Sequence, residues 1–99
     1  MHERFGIKGV HWELLSKLLF LPVKEAGGRI WLFGSRARGD HHPFSDVDIL
    51  IEGPIPPHLL STIEENLEES TLPMRVDLVS EPNLAETYRI GVMKDRVEI

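Results

Sequence analysis

The chain contains no cysteine. This excludes disulfides, thiolate metal sites and a cysteine nucleophile, and it fits a reducing cytoplasm, the expected location. No apolar run approaches the roughly 20 residues of a membrane span, and Met1 to Gly9 lacks the apolar core of a signal peptide. A soluble, intracellular protein without membrane contact is therefore expected. Positive charge is also scarce: the formal net charge is −5, whereas a general nucleic-acid binder needs a basic surface to neutralise phosphates. No direct nucleic-acid binding is expected. The sequence has no internal repeat, linker or low-complexity segment, and its 99 residues read as one domain, 1–99. A chain of this size buries about two-thirds of its unfolded surface and leaves no room for a second catalytic domain.

The apolar periodicity that is present orders the chain. Val10 to Leu21 places Trp12, Leu15, Leu18 and Leu19 on one side of a helix, with Pro22 expected at its end. Gly27-Gly28 turns the chain into a short apolar strand, Ile30 to Phe33. A second strand runs through Val47 to Ile51. The stiff loop Gly53 to Pro57 then leads into a helix whose first turn suits Pro57. In that helix Leu60, Ile63 and Leu67 recur at helical spacing, and Glu64, Glu65, Glu68 and Glu69 form a solvated opposite side. Met74 to Val79 reads as a third strand. Ser80 to Asn83 reads as a helix start, with Leu84, Tyr88 and Val92 lining the inner face of a last helix and Val97-Glu98-Ile99 a terminal edge. Such an order predicts an α+β fold, a small mixed sheet with helices packed mainly on one face.

The chemistry concentrates in Phe33-Gly34-Ser35-Arg36-Ala37-Arg38-Gly39, followed by Ser45-Asp46-Val47-Asp48 and later by Val76-Asp77-Leu78. Gly34 allows close backbone approach after a strand, and Ser35 brings a hydroxyl donor, so this turn can hold a phosphate. Arg36 and Arg38 add planar, permanently charged donors suited to phosphate oxygens. Asp46 and Asp48 flank Val47 and so face one way along a strand. Two such carboxylates repel unless a cation lies between them, and their oxygens suit a hard ion such as Mg2+. Asp77 is the one charged residue within the apolar part of its strand and needs a partner to offset burial. That partner is either a metal shared with Asp46 and Asp48 or an arginine, Arg75 or Arg29. His41 and His42 are adjacent in a polar loop and point apart, which favours a solvated loop over a transition-metal site.

Taken together, Gly34-Ser35-Arg36-Ala37-Arg38-Gly39, Ser45-Asp46-Val47-Asp48 and the later Asp77 resemble the minimal nucleotidyltransferases of the DNA polymerase beta superfamily. The likeness covers Ile30 to Val79 by motif and nearly the whole chain by element order, with two departures: the His41-His42 pair in the spacer, and Asp95-Arg96 where an acidic residue followed by glycine is expected. The resemblance implies a polymerase-beta-like nucleotidyltransferase core and transfer of a nucleoside monophosphate from a nucleoside triphosphate to an acceptor hydroxyl. Asp46, Asp48 and Asp77 are then the catalytic residues and the ligands of two Mg2+ ions. Gly34, Ser35 and Arg38 hold the terminal phosphates of ATP as donor, and Arg38 fits that position better than Arg36, which reads as a surface residue or an acceptor contact.

Small stand-alone members of the family are similar to the antitoxin half of a toxin-antitoxin pair. This implies a helical HEPN partner whose tyrosine accepts AMP, while a homo-oligomer stays open. Two alternatives belong to other classes: a non-catalytic subunit that masks its partner, and a small-molecule nucleotidyltransferase, which would need an acceptor domain. The Trp12-bearing helix and the segment around Tyr88 and Val92 carry more apolar residues than so small a core accommodates, and this marks them as an expected interface.

Overall fold

The computed structural model describes residues 4–99; residues 1–3, at the head of the Met1 to Gly9 stretch, lie outside the described residues. The elements follow as α1 (Gly9–Leu15), a π-helical turn (Ser16–Phe20), α2 (Leu21–Glu25), β1 (Arg29–Phe33), α3 (Ser35–Arg38) and β2 (Val47–Glu52). Then come α4 (Pro57–Glu68), β3 (Val76–Ser80), a 3-10 turn (Glu81–Asn83), α5 (Glu86–Asp95) and β4 (Val97–Glu98). The sheet order is β3-β2-β1-β4. β1 runs antiparallel to both β2 and β4, whereas β2 and β3 are parallel. A parallel pair needs a long crossover, which α4 supplies. The α+β class with a small mixed sheet is the observed one.

Pro22 does not end the first helix. It stands in the first turn of α2, and the helical path continues through it to Glu25. Proline has no N–H to give to the preceding turn, and its ring crowds the carbonyl four residues back. The strain is taken up just before it as a π turn, in which the Leu21 N–H reaches Ser16 O. Three other expectations shift. β3 begins at Val76 rather than Met74, whose side chain is buried in the core beside α4. Ser80 to Asn83 forms a 3-10 turn, and α5 starts only at Glu86. Tyr88 is not on the inner face of α5: it is 68 % exposed, while Leu84 and Val92 are buried.

Alternation along the strands divides the apolar residues between two layers. Ile30 and Leu32 of β1 join Val47, Ile49 and Ile51 of β2, and Leu15, Leu19, Val23, Ile63 and Leu67 of the helices, in the main core. The opposite face carries a smaller cluster of Leu50, Leu84 and Val92, with Trp31, Phe33 and Val79 packed on it. Thus α1, α2 and α4 cover one face, and among the described residues α5 together with Leu84 just before it covers the other. Trp12 packs into the main core against Phe20, with ring centroids 5.4 Å apart, so the first helix does not leave that ring as surplus surface. On the other face Trp31 lies under the Arg96 guanidinium, 3.8 Å from its ring centroid.

Candidate active site

β1 ends at Phe33, and the chain turns at once into α3. Gly34 has φ +78°, a left-handed conformation that glycine adopts without steric cost. A second reason fixes glycine here: a Cβ at this position would stand 2.3 Å from Asp48 Oδ2. The bare backbone is what lets the Asp48 carboxylate lie against the turn. Gly39, at φ +89°, closes α3, and the Gly39 and Asp40 N–H groups both donate to Ser35 O.

Strand pairing sets the carboxylates. In the β2–β3 register Asp48 lies beside Asp77, and in the β1–β2 register it lies opposite Phe33. Asp48 belongs to the strand face that carries Leu50, and Asp77 to the face that carries Val79, so both are on the α5 side of the sheet. Asp46 directly precedes β2 and is exposed. Partial burial, then the nearby Asp77 and Asp46 charges, push the Asp48 carboxyl above its ordinary value, and Arg38 acts in the opposite direction.

Asp77 is exposed on the edge strand. Its predicted need to offset burial therefore does not arise, and what remains is repulsion from Asp48. Among the described residues no three His, Cys, Asp or Glu side chains form a ready-made metal cage. The donor set fits a hard divalent ion nonetheless: oxygen donors of one charge gathered at one sheet end, with room at Gly34 that any side chain would fill.

A cleft of about 520 Å³ opens between this end of the sheet and α5, lined among others by Gly34, Arg38, Asp48, Asp77, Tyr88 and Asp95. Asp46 and Ser35 stand outside its lining. Arg38 is held at the rim by Asp40 at 3.2 Å and Asp95 at 3.3 Å. Because these contacts are exposed, the guanidinium can be exchanged onto another anion at small cost. Asp95 and Tyr88 reach the cleft because α5 folds back over the sheet, and Asn83 from the 3-10 turn that leads into it. Their local sequence does not place them at this cleft: Tyr88 reads as a helix-face or interface residue and Asn83 as part of a helix start, and only Asp95 falls where an acidic residue is expected.

Arg36 departs from both readings of it as a surface residue or an acceptor contact. It is 1 % exposed, and its guanidinium donates to backbone carbonyls rather than facing the cleft. The two histidines differ in their surroundings. His42 is exposed, but His41 is partly buried over Gly6, so only one of them is a solvated loop residue.

Residues 13–99 match the nucleotidyltransferase domain family, and the chain belongs to that family. It is 36 % identical over 72 residues to the probable protein adenylyltransferase MntA of Haemophilus influenzae, covering 71 % of this chain and 63 % of that protein. It is 39 % identical over 78 residues to the protein adenylyltransferase MntA of Thermococcus cleftensis, covering 78 % and 75 %. The chain thus spans somewhat less than two-thirds of the first relative's length. Among solved structures, a minimal nucleotidyltransferase superposes with a TM-score of 0.67 at 26 % identity, over 99 % of this chain and 98 % of that one. A toxin-antitoxin crystal structure with AMP-PNP shares the fold, with a TM-score of 0.63 at 22 % identity over 84 % and 70 %.

Proposed function

We propose that this chain moves AMP from ATP to an acceptor hydroxyl, that the acceptor is a tyrosine on a helical HEPN partner, and that the chain is the antitoxin of the pair. The observation that carries this reading is the register that sets Asp48 beside Asp77 at the mouth of a cleft also lined by Gly34 and Arg38. The names of the two MntA relatives support a protein acceptor, and the fold shared with a toxin-antitoxin structure supports a partner.

In this reading Gly34 and Ser35 hold the terminal phosphates through the turn, and Arg38 leaves Asp95 to bind a phosphate oxygen. That orients the α-phosphorus in line with the attacking oxygen. Asp77, exposed and facing the cleft, takes the proton from the acceptor hydroxyl as its oxygen bonds to the α-phosphorus. The bond from that phosphorus to the bridging oxygen breaks, and pyrophosphate leaves. Asp46, Asp48 and Asp77 would hold two Mg2+ ions, which offset the charge on the phosphates and on the carboxylates themselves.

The test uses ATP labelled at the α or the γ position, incubated with the full chain and the co-expressed partner. Label should reach the partner from the α position only, with a gain of AMP mass. Label from the γ position alone would make the chain a kinase. Asp46→Asn and Asp48→Asn should each lower transfer by at least about 10²-fold. The masking alternative draws on the engagement of Arg38 by Asp40 and Asp95; a stable complex without added mass would favour it.

A further inference from the structure

We infer that Arg36 is a positioning residue that fixes Asp46 relative to the phosphate turn, an inference that rests on the function proposed above. Burying a guanidinium is costly unless its donors are satisfied. Arg36 satisfies them in a way that joins separate segments. Nε and Nη2 donate to Ser45 O at 3.1 and 2.9 Å, Nη2 also donates to Pro43 O at 3.1 Å, and Nη1 donates to Phe5 O at 3.0 Å.

The first two carbonyls belong to the irregular segment between α3 and β2, and Ser45 is the residue immediately before Asp46. Arg36 itself sits in α3, one residue after Ser35. One side chain therefore ties the turn that holds phosphate to the residue that delivers the first carboxylate. Within the segment, the His42 N–H donates to Ser45 Oγ at 2.7 Å and the Ser45 N–H donates to His42 O at 3.1 Å. This short turn presents the Ser45 carbonyl to the guanidinium. The Val47 N–H donates to Arg75 O, just before β3, at 2.8 Å and holds the other side of Asp46 there. Asp46 is thus exposed at its carboxylate but has its backbone gripped on both sides. Lysine in place of Arg36 would keep the charge, but a single ammonium cannot present the planar fork that reaches three carbonyls.

The test is a double-mutant cycle in the full chain, read as calorimetric binding of a non-hydrolysable ATP analogue in Mn2+. Arg36→Lys should keep a cooperative melt and weaken binding about tenfold, the usual scale for a residue that orients a ligand. In the Asp46→Asn background the same substitution should change binding by less than about twofold, because the group it positions is gone. Ser45→Ala, which loosens the turn without touching the core, should weaken binding in the same direction and lose its effect in the same background. Equal losses in both backgrounds, or no loss, would overturn the positioning role. If Arg36→Lys fails to fold, Ser45→Ala decides: unchanged binding overturns the inference, and weakening suppressed by Asp46→Asn supports it. Failure of the unmodified chain to bind the Mn2+–nucleotide would instead overturn the functional reading, and this inference with it.

Discussion

The two faces of the sheet contrast in how they are covered. On one, three helical elements close over Ile30, Leu32, Val47, Ile49 and Ile51, and hardly any of that surface reaches solvent. On the other, α5 covers a small cluster around Leu50 and leaves Tyr88 68 % and Ile90 83 % exposed. The carboxylates lie on the thinly covered face. A dense layer of apolar contacts holds the strands rigid on one side, so that like charges can be kept together on the side where the cleft opens.

The contrast can be broken most strongly from the dense side. Ile49→Ala should cost about 2–5 kcal/mol in denaturant unfolding, a large part of the roughly 5–15 kcal/mol available to a domain. Val92→Ala, under α5, should cost about 1–2 kcal/mol, from the methyl groups removed at a site that can relax. Equal costs would show that the two layers are one cooperative core. Gly34→Ala tests the thinly covered face instead. A methyl group 2.3 Å from Asp48 Oδ2 should lower the proposed AMP transfer by about 10²-fold, the scale of a misplacement near 1 Å. The same change should lower stability by only about 1–3 kcal/mol, the cost of a strained backbone position. A parallel fall in activity and stability would argue that the turn is merely structural.

Asp48 gives a prediction of opposite sign. Its carboxyl is pushed up in the folded state, so the folded chain binds the proton more tightly than the unfolded chain. Its contribution is most favourable below the unfolded value, near pH 4, and is lost as pH rises through the folded value. Without divalent ions, Asp48→Asn should therefore raise Tm by a few degrees at pH 7 and leave it nearly unchanged at low pH, as thermal melts would record. A lower Tm at pH 7 would remove the repulsion argument. The smallest effect is expected at the sheet edge. Arg29 and Glu98 form an exposed pair at 2.8 Å, and because solvent screens it, Arg29→Ala should leave the thermal melt essentially unchanged.

Local pattern was enough for the strand that ends at Phe33, the turn at Gly34 and the amphipathic α4. Each rests on local periodicity or on the conformational needs of one residue type. It also carried the family, because Gly34-Ser35, the Asp46-Asp48 spacing and a later Asp77 occur together. Long-range packing settles that the chain continues helically through Pro22, since the core contacts of Phe20 and Val23 outweigh one lost hydrogen bond. Only in the folded chain does Arg36 turn inward while Arg38 stays at the rim: both are arginines in one short helix, and what separates them is which carbonyls the loop before β2 presents. The exposure of Asp77, the outward Tyr88 and the cleft under α5 likewise follow from sheet order and helix placement. These depend on contacts between residues far apart in the chain, which local pattern does not encode.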